Sequence, residues 1–279
     1  MPYTAEISRR NPGCLLLLID QSGSMSDPFG NAESRKSKAD GVADVTNRLL
    51  QNLVVKCARD EGVRDFFNVG VIGYGADVAP AFGGSLSGVE LTPISDVANA
   101  PLRVEERSKK VDDGAGGLIE QTVRFPVWFE PRAQNGTPMC AALQRARSII
   151  QGWLERYPGG FPPIVINITD GESSDGDPTG SARELTALAS SDGNVLLFNV
   201  HLSSTRSTPV EFPDSEKELA DRYAQLLFRM SSVLPDSTRM IAEQEGYRVS
   251  PETRGFTFNA DIVALIKFLD IGTRASNLR

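Results

Sequence analysis

Two short apolar runs in the sequence each stop at an aspartate. Residues 14–19 (CLLLLI) are followed by Asp20, and Ile164–Thr169 repeats the pattern before Asp170. A short apolar run without regular polar alternation is typical of a parallel strand that is buried on both faces. The pattern therefore predicts two central strands, each with an acidic side chain at its carboxyl end.

Further strands and helices are predicted to alternate along the chain. The other predicted strands are residues 66–74, 195–202 and 254–259, and residues 77–82 are expected to fold back as a short antiparallel edge. The predicted helices are residues 37–59, Met139–Arg156, 181–190, 215–230, 238–245 and 261–273. Ser215 and Glu218 are expected to form a capping box at the start of the fourth of these helices. The alternation predicts an α/β fold with a mostly parallel central sheet, one antiparallel edge strand and helices on both faces.

Polar side chains gather at the predicted carboxyl edge of this sheet, where open α/β folds bind ligands. Alternate side chains of an extended turn point the same way, so Asp20, Ser22 and Ser24 present one carboxylate and two hydroxyls to a common point. Thr137, at the start of a predicted helix, adds a third hydroxyl, and Asp170 adds a second carboxylate. Hard oxygen ligands without histidine or thiolate favour magnesium, manganese or calcium.

Each part of this set also has a simpler structural interpretation. The Asp20-x-Ser22-x-Ser24 segment alone is equally typical of a loop that caps a helix, and Thr137 alone is more typical of a helix cap than of a ligand. Asp170, followed by glycine, suits a turn. Their joint occurrence at two strand ends and one helix start favours a metal site, in which two carboxylates and weakly donating hydroxyls leave the ion electrophilic. An incoming Asp or Glu carboxylate would then complete an octahedral shell.

Three segments together resemble the motifs of von Willebrand factor A (vWA) domains. Residues 19–25 (IDQSGSM) look like the first motif, residues 136–139 (GTPM) resemble the second, and residues 168–172 (ITDGE) resemble the third, in the family's order. The resemblance covers residues 12–275 apart from an insertion at 83–132. It implies a Rossmann-like vWA fold, as a single domain over residues 1–279.

The resemblance further implies a metal-ion-dependent adhesion site (MIDAS). In such sites the two serines and the threonine contact the metal, and the aspartates act directly or through water, which assigns Asp20, Ser22, Ser24, Thr137 and Asp170 as metal ligands. The expected cofactor is Mg²⁺ or Mn²⁺, with Ca²⁺ less favoured. Among family members the chain is most similar to the intracellular bacterial type, whose partners are protein kinase, phosphatase or ATPase assemblies. We therefore expect a non-catalytic adaptor or scaffold that binds a carboxylate of another protein.

An enzyme is the main alternative. Asp20 follows a buried strand, as nucleophilic carboxylates do in some phosphatases, so metal-dependent phosphoryl transfer or hydrolysis is conceivable. The second acid of such enzymes is replaced by Ser22, and the sequence contains neither a phosphate-binding P-loop motif nor a G-x-S-x-G nucleophile motif. A structural subunit that has lost metal binding is disfavoured because all five ligand positions are filled.

The composition of the sequence limits the kinds of partner that the protein is expected to bind and the cell compartment in which we expect it. The formal net charge of −7 argues against unassisted nucleic-acid binding, which needs a basic surface. Arg9 and Arg10 before the apolar run 14–19 superficially resemble a secretory signal, but the run is too short and no small-residue cleavage site precedes Asp20. No other stretch approaches the roughly 18 apolar residues of a membrane helix. We therefore expect a cytoplasmic protein without a membrane or nucleic-acid partner.

The remaining candidate groups are expected to be structural. The three cysteines lack C-x-x-C spacing and are predicted to be reduced thiols. His201, the one histidine, is expected in the core or at a strand end, since it cannot build a zinc site alone. Asp175 and Asp177 suggest either a solvated acidic loop or a second calcium site, although the full EF-hand spacing is absent.

The insertion at residues 83–132 lies directly before the Thr137 loop. It contains the charged run 105–110 and residues 122–129 (TVRFPVWF), which predict a strand that Pro126 restricts to an edge or a bulge. The insertion either packs against a sheet edge or recognises the partner beside the metal, as long inserted loops often do. Trp128 and Phe129 are candidate aromatic anchors, although strand alternation turns at least one towards the core.

Overall fold

A computed structural model of the chain describes residues 3–29, 36–112, 118–202, 209–219 and 221–273. The strands are β1 (Gly13–Asp20), β2 (Ala58–Arg59), β3 (Gly62–Val63), β4 (Phe67–Tyr74), β5 (Val78–Pro80), β6 (Thr92–Pro93), β7 (Arg103–Asp112), β8 (Leu118–Val127), β9 (Ile164–Thr169), β10 (Ala189–Ser190), β11 (Gly193–Asn194), β12 (Leu196–Leu202), β13 (Val210–Glu211) and β14 (Phe256–Ala260). The helices are α1 (Lys38–Cys57), α2 (Ile94–Asn99), α3 (Met139–Arg156), α4 (Thr179–Thr186), α5 (Arg222–Met230), α6 (Asp236–Gln244) and α7 (Ile262–Thr273).

Within the described ranges, eight strands form the central sheet. Seven follow the order β13-β14-β12-β9-β1-β4-β5, and β6 pairs with β4 outside this path. The five inner strands, β14, β12, β9, β1 and β4, are parallel to one another. The short strands β5, β6 and β13 are antiparallel. The predicted mostly parallel α/β sheet is therefore confirmed, with β5 as the predicted antiparallel edge and with β6 and β13 as further antiparallel strands.

The central strand β1 is buried along its whole length. Its alternate side chains enter two separate core clusters, one with α1 and α7 and the other with α3 and α5. The residues on the first face are Leu15, Leu17 and Ile19, and those on the second are Cys14, Leu16 and Leu18. A strand enclosed on both faces favours apolar residues on both of them, which explains the uninterrupted apolar run in the sequence.

Two helix starts differ in how well the sequence predicts them. Ser37 caps α1 through a capping box with Asp40, near the predicted start. The capping box expected from Ser215 and Glu218 is wrong, because α5 begins at Arg222. Asp221 caps it instead, accepting hydrogen bonds from the backbone N–H groups of residues 223 and 224.

Residues 83–132 contribute β6 and α2 and a separate two-stranded hairpin. Strands β7 and β8 pair antiparallel over ten positions, with Pro126 opposite Val104. The predicted strand at 122–129 thus overlaps β8, whereas the charged run 105–110 was not predicted as the partner strand. Charged edge residues do not exclude a strand, and they protect a hairpin edge from unwanted pairing.

Trp128 and Phe129, which follow the hairpin, are both buried in the core. The expectation that one of them anchors a partner is therefore wrong. The side-chain oxygen of Asn47 on α1 accepts hydrogen bonds from the backbone N–H groups of both residues, at 2.8 and 3.0 Å. The indole Nε1 of Trp128 donates to the Val97 carbonyl over 2.6 Å. These bonds tie the segment after the hairpin to two helices of the domain.

The three cysteines are free thiols, as the sequence predicts. Burial raises the pKa of the Cys57 thiol to about 11, and it raises that of Cys14 still further. Both thiols therefore stay protonated near neutral pH. Among the described residues, no helix is both long enough and apolar enough to cross a membrane.

Candidate metal site

Asp20 is the last residue of β1 and lies almost wholly inside the protein, with 1% of its surface exposed. Its Oδ1 accepts a hydrogen bond of 2.8 Å from the backbone N–H of Ser22. Its Oδ2 accepts one of 2.6 Å from the hydroxyl of Thr169, at the end of the neighbouring strand β9. The carboxylate is thereby fixed from both strands at the carboxyl edge of the sheet.

A string of side chains runs from Asp20 to the end of β9. The hydroxyl oxygens of Ser22 and Ser24 lie 3.1 Å apart. The Ser24 hydroxyl donates a hydrogen bond of 2.8 Å to Oδ1 of Asp170. Four of the five predicted ligands therefore lie in one hydrogen-bonded group, drawn from two segments that follow strands at one sheet edge. The backbone N–H of Ser22 joins Asp20 to this group, and side-chain oxygens make the other links.

Thr137 is the fifth predicted ligand. Backbone groups of its loop form hydrogen bonds with the segments that follow β1 and β9. The N–H of Gly23 donates to the Asn135 carbonyl over 2.9 Å. The Thr137 N–H donates to the hydroxyl of Ser174 over 2.8 Å. A Cβ atom on Gly136 would lie only 2.8 Å from that hydroxyl, so glycine leaves room for the contact.

Thr137 does not cap α3, contrary to the simpler interpretation of this threonine. The N-terminal capping position is Pro138, which makes no side-chain cap. The carboxylate of Asp175 instead accepts hydrogen bonds from the N–H groups of Cys140 and Ala141, at 3.0 and 2.9 Å. Burial acts to raise the pKa of Asp175, but these backbone bonds and one from Ser173 lower it on balance.

Asp177 has a similar structural role at the start of α4. Its Oδ1 accepts hydrogen bonds from the backbone N–H and the hydroxyl of Thr179, at 2.9 and 2.6 Å. Both bonds lower its pKa. Because Asp175 and Asp177 each bind the first turn of a different helix, the structure favours a structural acidic loop over an independent calcium site.

Burial is the main electrostatic influence on Asp20. It raises the pKa of this carboxyl, and the nearby charge of Asp170 acts in the same direction, while hydrogen bonds from Ser22 and Thr169 oppose the shift. Burial and the charge of Asp20 likewise hold the pKa of the Tyr74 phenol well above its usual value. An ionised Asp20 would therefore gain from a cation close by.

Lys38 and Thr169 are parts of the site that the sequence analysis missed. Lys38 Nζ lies 2.6 Å from Oδ2 of Asp170. The position of Lys38, as the first residue of an amphipathic helix, indicates nothing more than a solvated cation. The contact of Thr169 with Asp20 could have been predicted from the sequence. Thr169 ends a predicted strand beside the strand of Asp20, and a hydroxyl at such an end can reach the neighbouring carboxylate.

The donor set fits a hard divalent cation. Within the described ranges there is no cluster of three or more His, Cys, Asp and Glu side chains. The site instead combines two carboxylates with serine and threonine hydroxyls, all of them oxygen donors. Such donors suit Mg²⁺ or Mn²⁺ and would leave coordination positions for other oxygen ligands.

No protein-family model and no curated protein matches the sequence. Solved structures similar to the chain include the three N-terminal domains of the type V pili tip protein Mfa5 from Porphyromonas gingivalis, at 17% identity over 58% of this chain and 20% of that chain (TM-score 0.31). They also include the vWF domain of the same Mfa5, at 17% identity over 58% and 39% of the two chains (TM-score 0.30). A third is the pilus adhesin RrgA from Streptococcus pneumoniae, at 15% identity over 61% and 22% (TM-score 0.29). The chain spans less than two fifths of each of these proteins, and similarities at this level carry no argument about its function.

Proposed function

We propose that the chain is a non-catalytic protein-interaction module of the vWA type, which binds an Asp or Glu carboxylate of a partner through a divalent metal ion. The observation that carries the proposal is the string of hydrogen bonds that connects Asp20 to Asp170. It passes through the backbone N–H and the hydroxyl of Ser22 and through the hydroxyl of Ser24. The string stands at the carboxyl edge of a parallel sheet, where such folds bind their ligands. It also matches the order of the three vWA motifs in the sequence.

The metal would be held by the five residues Asp20, Ser22, Ser24, Thr137 and Asp170. Mg²⁺ is the preferred ion, Mn²⁺ is an alternative, and Ca²⁺ is less favoured. When bound, the ion supplies a Lewis acid that attracts a carboxylate. Ser24 is the most exposed residue of the connected string, whereas Asp20 and Ser22 are buried. The partner therefore approaches the site from the side of Ser24.

The burial and hydrogen bonding of Asp20 favour a binding role over an enzymatic role. A nucleophilic carboxylate must reach a substrate, but Asp20 is enclosed and both of its oxygens accept hydrogen bonds. Ser22 stands where a second acid would assist phosphoryl transfer. Turnover of phosphate esters or nucleotides that disappears in Asp20→Asn would overturn the non-catalytic role.

The partner is proposed to be a protein of the bacterial cytoplasm, in a kinase, phosphatase or ATPase assembly. A metal-bound carboxylate is a generic contact, so selectivity has to come from neighbouring surface. The insertion at 83–132 supplies a hairpin with exposed Val104 and Ile119 on separate strands. Arg107, in the middle of β7, links this hairpin to Asp44 of α1 over 3.0 Å, which holds the hairpin beside the helix that begins at the site.

Titration with Mn²⁺ in a calorimeter tests the metal site. The wild-type protein is expected to bind one ion, and Asp20→Ala is expected to bind none. Asp177→Asn is the matched control, because it removes a carboxylate farther along the loop of Asp170 without replacing any of the five ligands, and it should bind like wild type. Absence of saturable Mn²⁺ binding by the wild type would overturn the proposal.

Co-purification from the native host tests the adaptor role. The wild-type chain should retain its partner in Mg²⁺ and release it in chelator, and Asp20→Ala should retain none in either buffer. A partner retained equally by wild type and Asp20→Ala would show that binding does not pass through the metal.

A further inference from the structure

Lys38 is a buried cation in an unfavourable place. It is the first residue of α1, directly after the N-terminal capping residue Ser37. The helix macrodipole places partial positive charge at this end, which disfavours a lysine there. Its side chain is only 5% exposed, although lysine is almost never buried without a partner. Some local negative charge must therefore hold it.

That negative charge comes mainly from Asp170. Lys38 Nζ lies 2.6 Å from Oδ2 of Asp170, whose side chain is fully enclosed. The other oxygen of Asp170 accepts the hydrogen bond from Ser24. Asp27 lies farther from the ammonium, at 3.8 Å, and its side chain is 54% exposed, so water screens its charge. Both oxygens of one proposed metal ligand are thus engaged, one of them by a cation.

The ion pair changes the charge balance of the site. Asp20 and Asp170 together match the two positive charges of a divalent ion. Lys38 cancels one of these negative charges, so a loaded site keeps an excess of one positive charge. His201, which also faces this region, has a pKa lowered to about 4 by burial and adds no charge near neutral pH. One further carboxylate from outside would restore neutrality.

We propose that Lys38 is a built-in counter-cation of Asp170 that weakens metal binding to the free domain and makes it depend on the partner's carboxylate. This inference rests on the proposed metal site. It makes metal and partner bind cooperatively, because each supplies the charge that the other lacks. The free domain without metal is meanwhile kept folded by the same ammonium, which neutralises a carboxylate that would otherwise be buried alone.

Calorimetric titration with Mn²⁺ alone, in buffer without carboxylates, separates the roles of charge and shape. Lys38→Met keeps most of the side-chain length without the charge, and we expect it to bind Mn²⁺ on the order of tenfold more tightly than wild type. Lys38→Arg keeps the charge and should bind like wild type. Added acetate, as the carboxylate probe, should tighten Mn²⁺ binding to wild type more than to Lys38→Met.

Thermal unfolding provides a second readout. Lys38→Met without metal should melt at a lower temperature than wild type, and Mn²⁺ should raise its melting temperature by more. If Lys38→Met gives no folded protein, Lys38→Gln, whose amide can still donate to Asp170, serves for the same comparisons.

The outcomes separate this inference from the proposed function. Equal or weaker Mn²⁺ binding by the neutral variant, beside clear binding by wild type, would overturn the role of Lys38 and leave the metal site standing. Binding by the neutral variant, with wild type binding only when acetate is added, would support the role of Lys38. It would show that the free wild type does not bind the ion without a carboxylate, as the proposed function expects it to. Absence of binding in every variant would overturn both.

Discussion

Ser24 donates a hydrogen bond of 2.8 Å to Asp170, a residue that lies 146 positions farther along the chain. The contact is possible because β1 and β9 are parallel neighbours in register, with Ile19 opposite Ile168. Both strands therefore end at the same edge, and the polar residues after each end meet there. The site is a consequence of strand pairing and not of a local sequence motif alone.

Asp20→Asn should separate metal binding from folding. Without metal we expect a melting temperature equal to or above that of wild type, because a neutral amide costs less to bury than a carboxylate. With Mn²⁺ the wild type should gain stability and the variant should not, as circular dichroism on heating would measure. Loss of cooperative unfolding in the variant would show instead that the carboxylate is chiefly structural.

Asn47→Ala should destabilise the domain without touching the metal site. The change removes the acceptor for two buried backbone N–H groups, those of Trp128 and Phe129, and we expect a loss of about 2 to 4 kcal/mol in the free energy of unfolding. Denaturant titration measures it. The control is Gln51→Ala on the same helix, which loses one exposed contact of 3.5 Å and should change stability by less than about 0.5 kcal/mol. A similar loss of stability in both variants would contradict the stabilising role of the hydrogen bonds that Asn47 accepts.

His201 should make stability depend on pH. Burial lowers the pKa of its imidazole from 6.5 to about 4, so between these values the unfolded chain binds a proton that the folded protein does not. The neutral imidazole therefore makes its full contribution to the free energy of unfolding above about pH 6.5. That contribution is lost as the pH falls towards about 4.

The variant that tests this is His201→Phe, which can still pack against the Phe258 ring, 5.0 Å away. Between the same two pH values, wild type should lose about 2 to 4 kcal/mol more than the variant. Identical pH profiles in denaturant titrations would rule out a depressed histidine pKa.

Replacement of residues 104–125 by a short Gly/Ser linker should reduce partner affinity and spare metal binding. The linker removes the paired strands of the hairpin but keeps Trp128 and Phe129, which the core needs. Mn²⁺ calorimetry checks the metal site, and a binding assay with the co-purified partner checks affinity. Unchanged partner affinity would mean that the hairpin does not help to choose the partner.

The parts of the fold that the sequence predicts well are those in which local pattern and tertiary burial agree. β1 and β9 are mostly apolar because both of their faces are covered, and α1 has a capping box at its own N-terminus. The start of α5 was mispredicted because Ser215 has the right spacing to Glu218, while the stronger cap is Asp221. Spacing alone does not distinguish which of two caps the chain uses.

The sequence predicts the oxygen donors of the candidate site. It does not predict the residues that contact those donors. Thr169 and Lys38 act through pairing between distant segments, and the position of Lys38 in the sequence indicates only a polar helix start. Alternation predicts that at least one of Trp128 and Phe129 faces the core, but it does not show that both do, since it cannot show that a strand end turns inward towards a helix. These features depend on tertiary contacts that one sequence does not contain.

The central claim is that one divalent ion binds among Asp20, Ser22, Ser24, Thr137 and Asp170. Its most direct test is anomalous X-ray diffraction from crystals of the protein soaked in Mn²⁺, with crystals of Asp20→Asn treated in the same way. The account predicts an anomalous peak at the carboxyl edge of the sheet, within bonding distance of the serine hydroxyls, and no peak there in the variant. Wild-type crystals without a peak at this position would contradict it.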